Sequence, residues 1–130
     1  MLPQRPGSVR PPPAPGLFGL DDALSRGHYP EIERYLAALP RGTVEKSPSL
    51  SALAGEVSLA RGDFEAASPA LERARALESR LSRRAGIEWA LSQGAILWND
   101  FASARDYAAS AVRDGYGLVP GFLRFLDALA

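Results

Sequence analysis

The chain contains no cysteine and only one histidine among its 130 residues. The absence of cysteine excludes disulfide bonds, thiolate metal sites and cysteine nucleophiles together. The single histidine, His28, stands between Gly27 and Tyr29, where we predict a turn between helices, and a polar residue there satisfies backbone groups. We therefore predict no catalytic residue, no metal site and no cofactor, and a protein that is not an enzyme.

Net charge and long hydrophobic runs are also missing. The 15 lysine and arginine residues balance the 15 aspartate and glutamate residues, so no whole-chain field draws the protein to nucleic acid or to an anionic membrane. No segment approaches the roughly 20 apolar residues that cross a bilayer. The first 16 residues lack the apolar core of a signal peptide. We expect a cytoplasmic protein without a membrane partner.

Proline is concentrated at the start of the chain. Residues 1–16 contain six prolines, and the run Arg-Pro-Pro-Pro-Ala-Pro over residues 10–15 favours extended polyproline II geometry. We interpret residues 1–16 as a Pro-rich N-terminal arm, a spacer in preference to a recognition segment. Residues 17–130 are then one domain, which is large enough for a single core.

An aromatic residue recurs along this domain, each time after a turn-forming residue and a polar one. Tyr29 and Phe64 are 35 residues apart, and Phe64 and Phe101 are 37 apart, which is the spacing of helix-hairpin repeats at roughly 34 to 47 residues. The triplets are Gly27-His28-Tyr29, Gly62-Asp63-Phe64 and Asn99-Asp100-Phe101. Glycine and asparagine tolerate left-handed backbone, so each triplet predicts a tight turn. We expect each aromatic ring to be buried between the two helices of its own hairpin.

The middle unit, residues 50–77, resembles a tetratricopeptide (TPR) repeat. The matching positions are Gly55 at the helix crossing, Gly62 and Asp63 at the turn, then Phe64, and the stripe Ala67, Leu71 and Ala74. A third unit has Ser92 in place of Gly55, and a weaker first unit has helices over residues 17–26 and 30–39. The resemblance implies an all-α, right-handed stack of about three TPR-like helix hairpins with a C-terminal capping helix.

A second resemblance lies in the connector over residues 35–50. Its residues are the run Tyr35-Leu-Ala-Ala-Leu-Pro40, then Val44, then Ser47-Pro48-Ser49-Leu50. This pattern is similar to the helical-repeat region of MalT-class LuxR-type ATP-dependent transcriptional activators. It implies the signal-receiving or assembly segment of a transcriptional regulator. From the residues alone, Ser47 is a candidate N-cap and Pro48 suits the first helical turn.

Pro69 lies where the second helix of the middle unit should continue. A proline inside a helix removes a hydrogen bond and clashes with the preceding turn. Two outcomes are open, a kinked helix or a separate turn over residues 64–68 followed by a helix that begins near Pro69. We favour the kink.

The functional prediction follows from the TPR resemblance, because the first helix of each TPR pair lines the concave surface. The corresponding positions are Leu17, Asp21 and Leu24, then Ala52, Glu56 and Leu59, then Trp89, Gln93 and Ile96. We predict protein or peptide binding by Glu56, Leu59, Trp89, Gln93 and Ile96, since tryptophan is enriched in binding hot spots. The opposite face, Ile87, Leu91, Gly94 and Trp98, is expected to pack inside the stack. Equally open is that Trp89 packs against the preceding repeat or the Pro-rich arm.

Two other functions are weighed against this one. The concave face could hold a small-molecule effector, provided that the short stack closes a pocket. The second is a nucleic-acid contact through a basic stretch made of Arg73, Arg75, Arg80, Arg83 and Arg84. We disfavour direct nucleic-acid binding, because glutamates interleave with these arginines and no aromatic residue is present to stack a base.

The C-terminal segment is strongly apolar for a capping helix. Arg124 and Asp127 are its only charged residues between Val119 and Leu129, whereas a cap should present a polar outer face. We predict a homo-oligomer interface, or docking onto further sequence, through Phe122, Phe125 and Leu126.

Overall fold

The structure is a computed structural model that describes residues 24, 26–117 and 120–129. For residues 120–123 it describes the backbone alone. Its helices are α1 Tyr29–Ala38, α2 Thr43–Lys46, α3 Pro48–Ala60, α4 Phe64–Leu77, α5 Leu81–Leu97, α6 Phe101–Arg113 and α7 Pro120–Leu129. None of the described residues lies in a β-strand, which confirms the predicted all-α class. Across the same residues, every helix is too short or too polar to cross a bilayer.

The N-terminal predictions are mostly beyond this described part of the chain. The Pro-rich arm, residues 1–16, lies outside the described residues. So does the predicted leading helix of the first unit, apart from Leu24 and Arg26. Leu24 packs against a small core cluster around Ile32 of α1 and Leu53 of α3.

The three predicted turns have the left-handed backbone that their residues favour. Gly27, Gly62 and Asn99 have φ angles of 77°, 81° and 62°. Asn99 is the one non-glycine residue with positive φ in the described chain. These positive φ angles confirm the turn prediction at all three positions. Glycine adopts this conformation freely, and asparagine is one of the few other residues that tolerate it.

The residue after each of the last two turns caps the next helix. An Oδ1 of Asp63 accepts a hydrogen bond from the Ala66 backbone N–H at 3.0 Å, and Asp100 Oδ1 accepts from Ser103 N–H at 3.1 Å. Each bond satisfies a donor that the first helical turn leaves without an intrahelical partner. In both turns, a residue with left-handed backbone reverses the chain, and the aspartate that follows it caps the next helix, α4 or α6.

The connector between the first two units is held by serine hydroxyls. Ser47 Oγ accepts from the Leu50 N–H at 3.1 Å, and Pro48 occupies the first turn of α3, so the predicted N-cap is confirmed. Ser51 Oγ donates to the Val44 carbonyl at 2.7 Å. This bond ties α3 to the short helix α2, which the sequence did not predict.

Pro69 does not end a helix. The α4 helix runs without interruption from Phe64 to Leu77, so the alternative of a separate turn before Pro69 is wrong. The predicted stripe of α4 is confirmed, since Ala67, Leu71 and Ala74 are all fully buried. Burial of this stripe offsets the hydrogen bond that the proline ring removes.

Neighbouring helices supply most of the packing. The main contacts are α3 with α4, α4 with α5, α5 with α6 and α6 with α7, and α3 also touches α5. At the α3–α4 crossing, a Cβ on Gly55 would lie 2.5 Å from Leu71 Cγ. The crossing is therefore where the sequence placed it, with Leu71 as the close neighbour of Gly55.

The recurring aromatic residues are less enclosed than expected. Tyr29, Phe64 and Phe101 are half-buried. The Phe64 ring packs against Gly94 of α5 in the following hairpin, because the glycine leaves room for it. The prediction that Phe64 is buried within its own hairpin is therefore wrong.

Trp98 is also placed differently from the prediction. Ile87, Leu91 and Gly94 are buried as expected, but Trp98 is 53 % exposed. The reason is local, since α5 ends at Leu97 and Trp98 is its C-cap, off the helical register of the inner face. Its ring centroid lies 6.4 Å from that of Phe64.

Candidate functional site

One face of α5 forms an apolar groove of about 300 Å³, hereafter the α5 groove, lined by Trp89, Gln93, Ile96 and Leu97. These positions share a face because each α-helical residue advances about 100°. Three of the four were predicted as partner-binding residues. Leu97 was not predicted, and it is the most exposed large hydrophobic residue among those described, at 69 %.

Trp89 borders the groove and contacts an aromatic ring that follows α6. Its ring stacks on that of Tyr116, with centroids 5.5 Å apart and an interplanar angle of 24°. Tyr116 follows α6, so this contact is neither with the preceding repeat nor with the Pro-rich arm. Offset aromatic stacking adds roughly 0.5–1.5 kcal/mol beyond area burial. The stack with Tyr116 therefore stabilises this position of the half-buried Trp89 ring.

The rest of the groove has a half-buried base at Ile96 and an exposed edge at Gln93. Ile96 packs on the buried cluster that contains Ala95, Ala104 and Ala108. Gln93 is exposed and supplies an amide, which can both donate and accept hydrogen bonds. The groove therefore offers apolar surface with one polar group.

The two predicted binding residues of α3 do not line this groove. Leu59 is half-buried, and its Cδ1 lies 2.9 Å from where a Cβ on Gly94 would stand. Leu59 thus fills the interface between α3 and α5. Glu56 is half-buried on the same helix.

The C-terminal residues divide between core and surface. Leu126 is fully buried against Ala95, Ala104 and Ala108, because these small side chains let α7 approach closely. Its prediction as an oligomer contact is corrected, since a second copy cannot reach it. Phe125 is 55 % exposed, and the Phe122 side chain lies outside the described part.

A second cavity, here called the charged cavity, lies where the ends of α4, α5 and α6 meet. Its volume is about 430 Å³, and its lining residues are Glu72, Arg75, Ala76, Arg84, Glu88, Arg113 and Asp114. The described residues contain no cluster of three or more side chains suited to hold a metal ion. The lining of the cavity consists chiefly of carboxylate and guanidinium groups.

Glu88 is the buried centre of the charged cavity, with only 2 % exposure. Its Oε2 accepts a hydrogen bond from Arg75 Nε at 2.9 Å, and its carboxyl also shares a hydrogen bond with the carboxyl of Asp114. Burial raises the pKa of the Glu88 carboxyl, and neighbouring Asp114 raises it further, against the opposing effect of Arg75. A hydrogen bond between two carboxyls requires one of them to be protonated, and the raised pKa assigns that proton to Glu88.

The other charges around Glu88 are paired. Asp114 Oδ2 accepts from Arg84 Nε at 3.1 Å, and the pKa of Asp114 is lowered by its hydrogen bond with Glu88 and then by Arg84. Tyr107 Oη donates to Glu72 Oε2 at 2.5 Å. Burial, followed by that bond, raises the pKa of Tyr107 to about 12.

Three arginines of the predicted basic stretch are engaged within the chain. Arg73 Nε donates to Ser51 Oγ at 3.0 Å, while Arg75 and Arg84 hold Glu88 and Asp114. These bonds tie α4 and α5 to their neighbours. They direct the guanidinium groups toward protein acceptors in place of a phosphate backbone.

Glu88 follows the basic stretch by four residues, and its burial was not predicted. The spacing in the sequence does indicate a buried position, because Glu88 lies three residues after Ala85 and four before Ser92, on one face of the helix with these two buried residues. A carboxylate on such a helical stripe marks a buried ionisable group.

Comparison of the chain with protein-family models, with curated proteins and with solved structures finds no match.

Proposed function

We propose that this chain is a non-enzymatic, TPR-like helical-repeat module that binds a protein or peptide in the α5 groove. The observation that carries the proposal is the exposed apolar lining on one helix face, with Leu97 69 % exposed beside Trp89 and Ile96. An isolated apolar residue on a surface is ordinary, but a grouped set that surrounds a concavity is typical of recognition.

The chemistry of the groove favours an amphipathic helix as its ligand. A volume of about 300 Å³ accommodates a large apolar side chain and its neighbour, and helix-in-groove recognition uses such anchors. Gln93 at the exposed edge can hydrogen-bond a polar residue beside the anchor. The Trp89 ring, held by Tyr116, offers a preorganised contact surface.

The wider role that we propose is the signal-receiving or assembly segment of a transcriptional regulator. The support is the sequence resemblance over residues 35–50 to the repeat region of MalT-class activators. The coding sequence on either side tests it. Neighbouring ATPase and DNA-binding domains in the same reading frame are expected, and a flanking sequence without either would contradict this role.

Groove binding is tested with a displayed library of amphipathic helical peptides selected on the wild-type chain. Affinities of the selected peptides are then measured by fluorescence anisotropy for wild type, Leu97→Glu and the control Leu81→Glu. Leu81 is 54 % exposed on the same helix but outside the groove lining. We expect Leu97→Glu to weaken binding about tenfold or more, and Leu81→Glu to leave it unchanged.

Trp89→Ala separates binding from stability. We expect a loss of binding free energy of roughly 2 kcal/mol or more, as for an interface hot spot. Loss of the Tyr116 stack lowers the free energy of unfolding by about 0.5–1.5 kcal/mol, and loss of the half-buried indole area adds to this. A lower melting temperature with unchanged peptide affinity would contradict the groove assignment.

A further inference from the structure

The carboxyl pair of Glu88 and Asp114 joins α5 to the end of α6. Glu88 is 2 % exposed within α5, and Asp114 is the C-cap of α6. Their carboxyls share a hydrogen bond, and an ionised carboxyl has no proton to donate. The pair is therefore a contact between two helices that a single proton completes.

Guanidinium groups hold the two carboxyls in place. Arg75 of α4 donates to Glu88 Oε2 at 2.9 Å, and Arg84 of α5 donates to Asp114 Oδ2 at 3.1 Å. Arg75 favours the ionised form of Glu88, but burial and Asp114 outweigh it, so the pKa of Glu88 is raised. The other charged or titratable groups nearby are Glu72 of α4 and Tyr107 and Arg113 of α6.

Residues 114–116, hereafter the α6 cap, end the helix in one hydrogen-bonded unit. The Tyr116 N–H donates to the Ala111 carbonyl at 2.8 Å. The Gly115 N–H donates to the Val112 carbonyl at 3.0 Å, and Gly115 has a φ angle of 106°. These bonds form a Schellman motif. The motif fixes Tyr116 relative to Asp114.

The α6 cap also supplies one ring of the aromatic stack at the α5 groove. The Tyr116 ring stacks on Trp89, with centroids 5.5 Å apart. Trp89 follows Glu88 directly in α5, and Gly115 alone separates Asp114 from Tyr116. The α6 cap and α5 therefore touch through the carboxyl pair and, beside it, through the ring pair.

We propose that the carboxyl pair is a proton-dependent latch that holds the α6 cap, and with it the Tyr116 ring, against Trp89. The latch is closed while the two carboxyls share a proton. When Glu88 ionises, two negative charges face each other at a site with little solvent, and their repulsion drives the α6 cap away from α5. The buried residues Ile87 and Leu91 hold α5 in place.

The direction of the pH dependence follows from the two carboxyls. The pKa of Glu88 is raised, so the latch opens as pH increases above about 4.3 and through the folded pKa. The pKa of Asp114 is lowered, and protonation of Asp114 at still lower pH weakens its ion pair with Arg84. The latch is therefore most stable between the two titrations.

Opening of the latch removes the Tyr116 ring from the border of the α5 groove. The consequence for binding rests on the function proposed above. A peptide bound in the groove should lose affinity about two- to tenfold as the latch opens, which is the equivalent of one aromatic stack. The latch itself requires no ligand and is tested on the chain alone.

The fluorescence of Trp89 reports the state of the latch in a Trp98→Phe background, where Trp89 is the single tryptophan. Emission and acrylamide quenching are measured from about pH 4 to pH 8, above the ordinary glutamate pKa. We expect a one-proton transition to longer-wavelength emission and stronger quenching at higher pH, with unchanged far-ultraviolet circular dichroism. A flat Trp89 signal overturns the proposal, and so does a simultaneous loss of helical signal, which indicates global unfolding.

Two variants and a control in this background assign the transition. Glu88→Gln mimics the protonated carboxyl, because its amide can donate to the Asp114 carboxylate at every pH. Asp114→Asn removes the repulsion from the other side. Each should abolish the transition, whereas Glu72→Gln, in the same cavity but outside the carboxyl pair, should retain it. A transition that persists in Glu88→Gln or in Asp114→Asn refutes the latch.

Peptide affinity is then compared at a pH below and a pH above the Trp89 transition. Weaker binding at the higher pH is expected in wild type and not in Glu88→Gln. Absence of peptide binding at both pH values contradicts the proposed function, while the Trp89 transition still decides the latch. Equal affinity on both sides of that transition refutes the link between the latch and the groove.

Discussion

Leu71 Cγ lies 2.5 Å from the position that a Cβ would take at Gly55, so the two helices α3 and α4 approach as closely as a glycine permits. Gly86, also inside a helix, has no atom within 4 Å of the equivalent position. Replacement of glycine by alanine should therefore create a steric clash at position 55 and none at position 86, whereas the gain in helix propensity is the same at both positions.

We predict that Gly55→Ala lowers the free energy of unfolding relative to Gly86→Ala by about 1–3 kcal/mol, the usual cost of overpacking. Gly86→Ala alone should be stabilising by up to about 1 kcal/mol. Urea denaturation of both variants measures the difference. Equal midpoints would show that the α3–α4 crossing is not tight.

The turn at Asn99 gives a second prediction. With φ at 62°, replacement of Asn99 by alanine should cost about 1–2 kcal/mol, because a Cβ without a local hydrogen bond is strained there. Asn99→Gly should change stability much less, since glycine adopts this backbone freely. Thermal melts of the two variants provide the test, and similar losses in both would point to a lost asparagine contact in place of backbone strain.

Local rules explain which parts of the fold were predictable. The left-handed turns at Gly62 and Asn99 and the cap at Ser47 depend on residues close in sequence, and these were predicted correctly. The favoured alternative at Pro69, a helix that continues past the proline, agrees with the uninterrupted α4, whose stripe of Ala67, Leu71 and Ala74 is buried.

The positions that the sequence misplaced depend on distant partners. Helical periodicity put Trp98 inside, yet α5 ends one residue earlier. An apolar pattern made Leu126 a surface contact, whereas alanines of α5 and α6 enclose it. In the candidate site, periodicity did group Trp89, Gln93 and Ile96, but it gave no indication of the Tyr116 stack.

Glu88 should make stability depend on pH in a defined direction. Its pKa is raised in the folded chain, so the folded state holds this proton more tightly than the unfolded state does. The associated stability is present below the ordinary glutamate pKa of about 4.3 and is lost as pH rises through the folded pKa. We predict that the stability of wild type relative to Glu88→Gln falls as pH increases from about 4.3.

Urea denaturation at several pH values measures this difference. Glu72→Gln serves as the control, because Glu72 lies in the same cavity with partial exposure. The Glu88 interpretation would be refuted by a relative stability that stays constant, or rises, over the same range.

The last helix, α7, places Leu126 in the core and Phe125 at the surface. Leu126→Ala should lower the free energy of unfolding by about 2–5 kcal/mol, as for a buried leucine. Phe125→Glu should affect folding much less, because Phe125 is 55 % exposed. We also expect light scattering to show a concentration-dependent mass that Phe125→Glu abolishes. A wild-type mass that is monomeric at every concentration would remove the oligomer prediction.

The main contacts of every described helix are with helices at most two places away along the chain. Among these helices, no main contact joins α1 to α7. Opening can then begin at α1 or α7 and stop before the middle, as in other linearly connected structures. Backbone amides should exchange their hydrogens with solvent fastest in the outer helices and slowest in α4 and α5. The α5 groove and the charged cavity both include residues of α5, so partial melting of α1 leaves them intact.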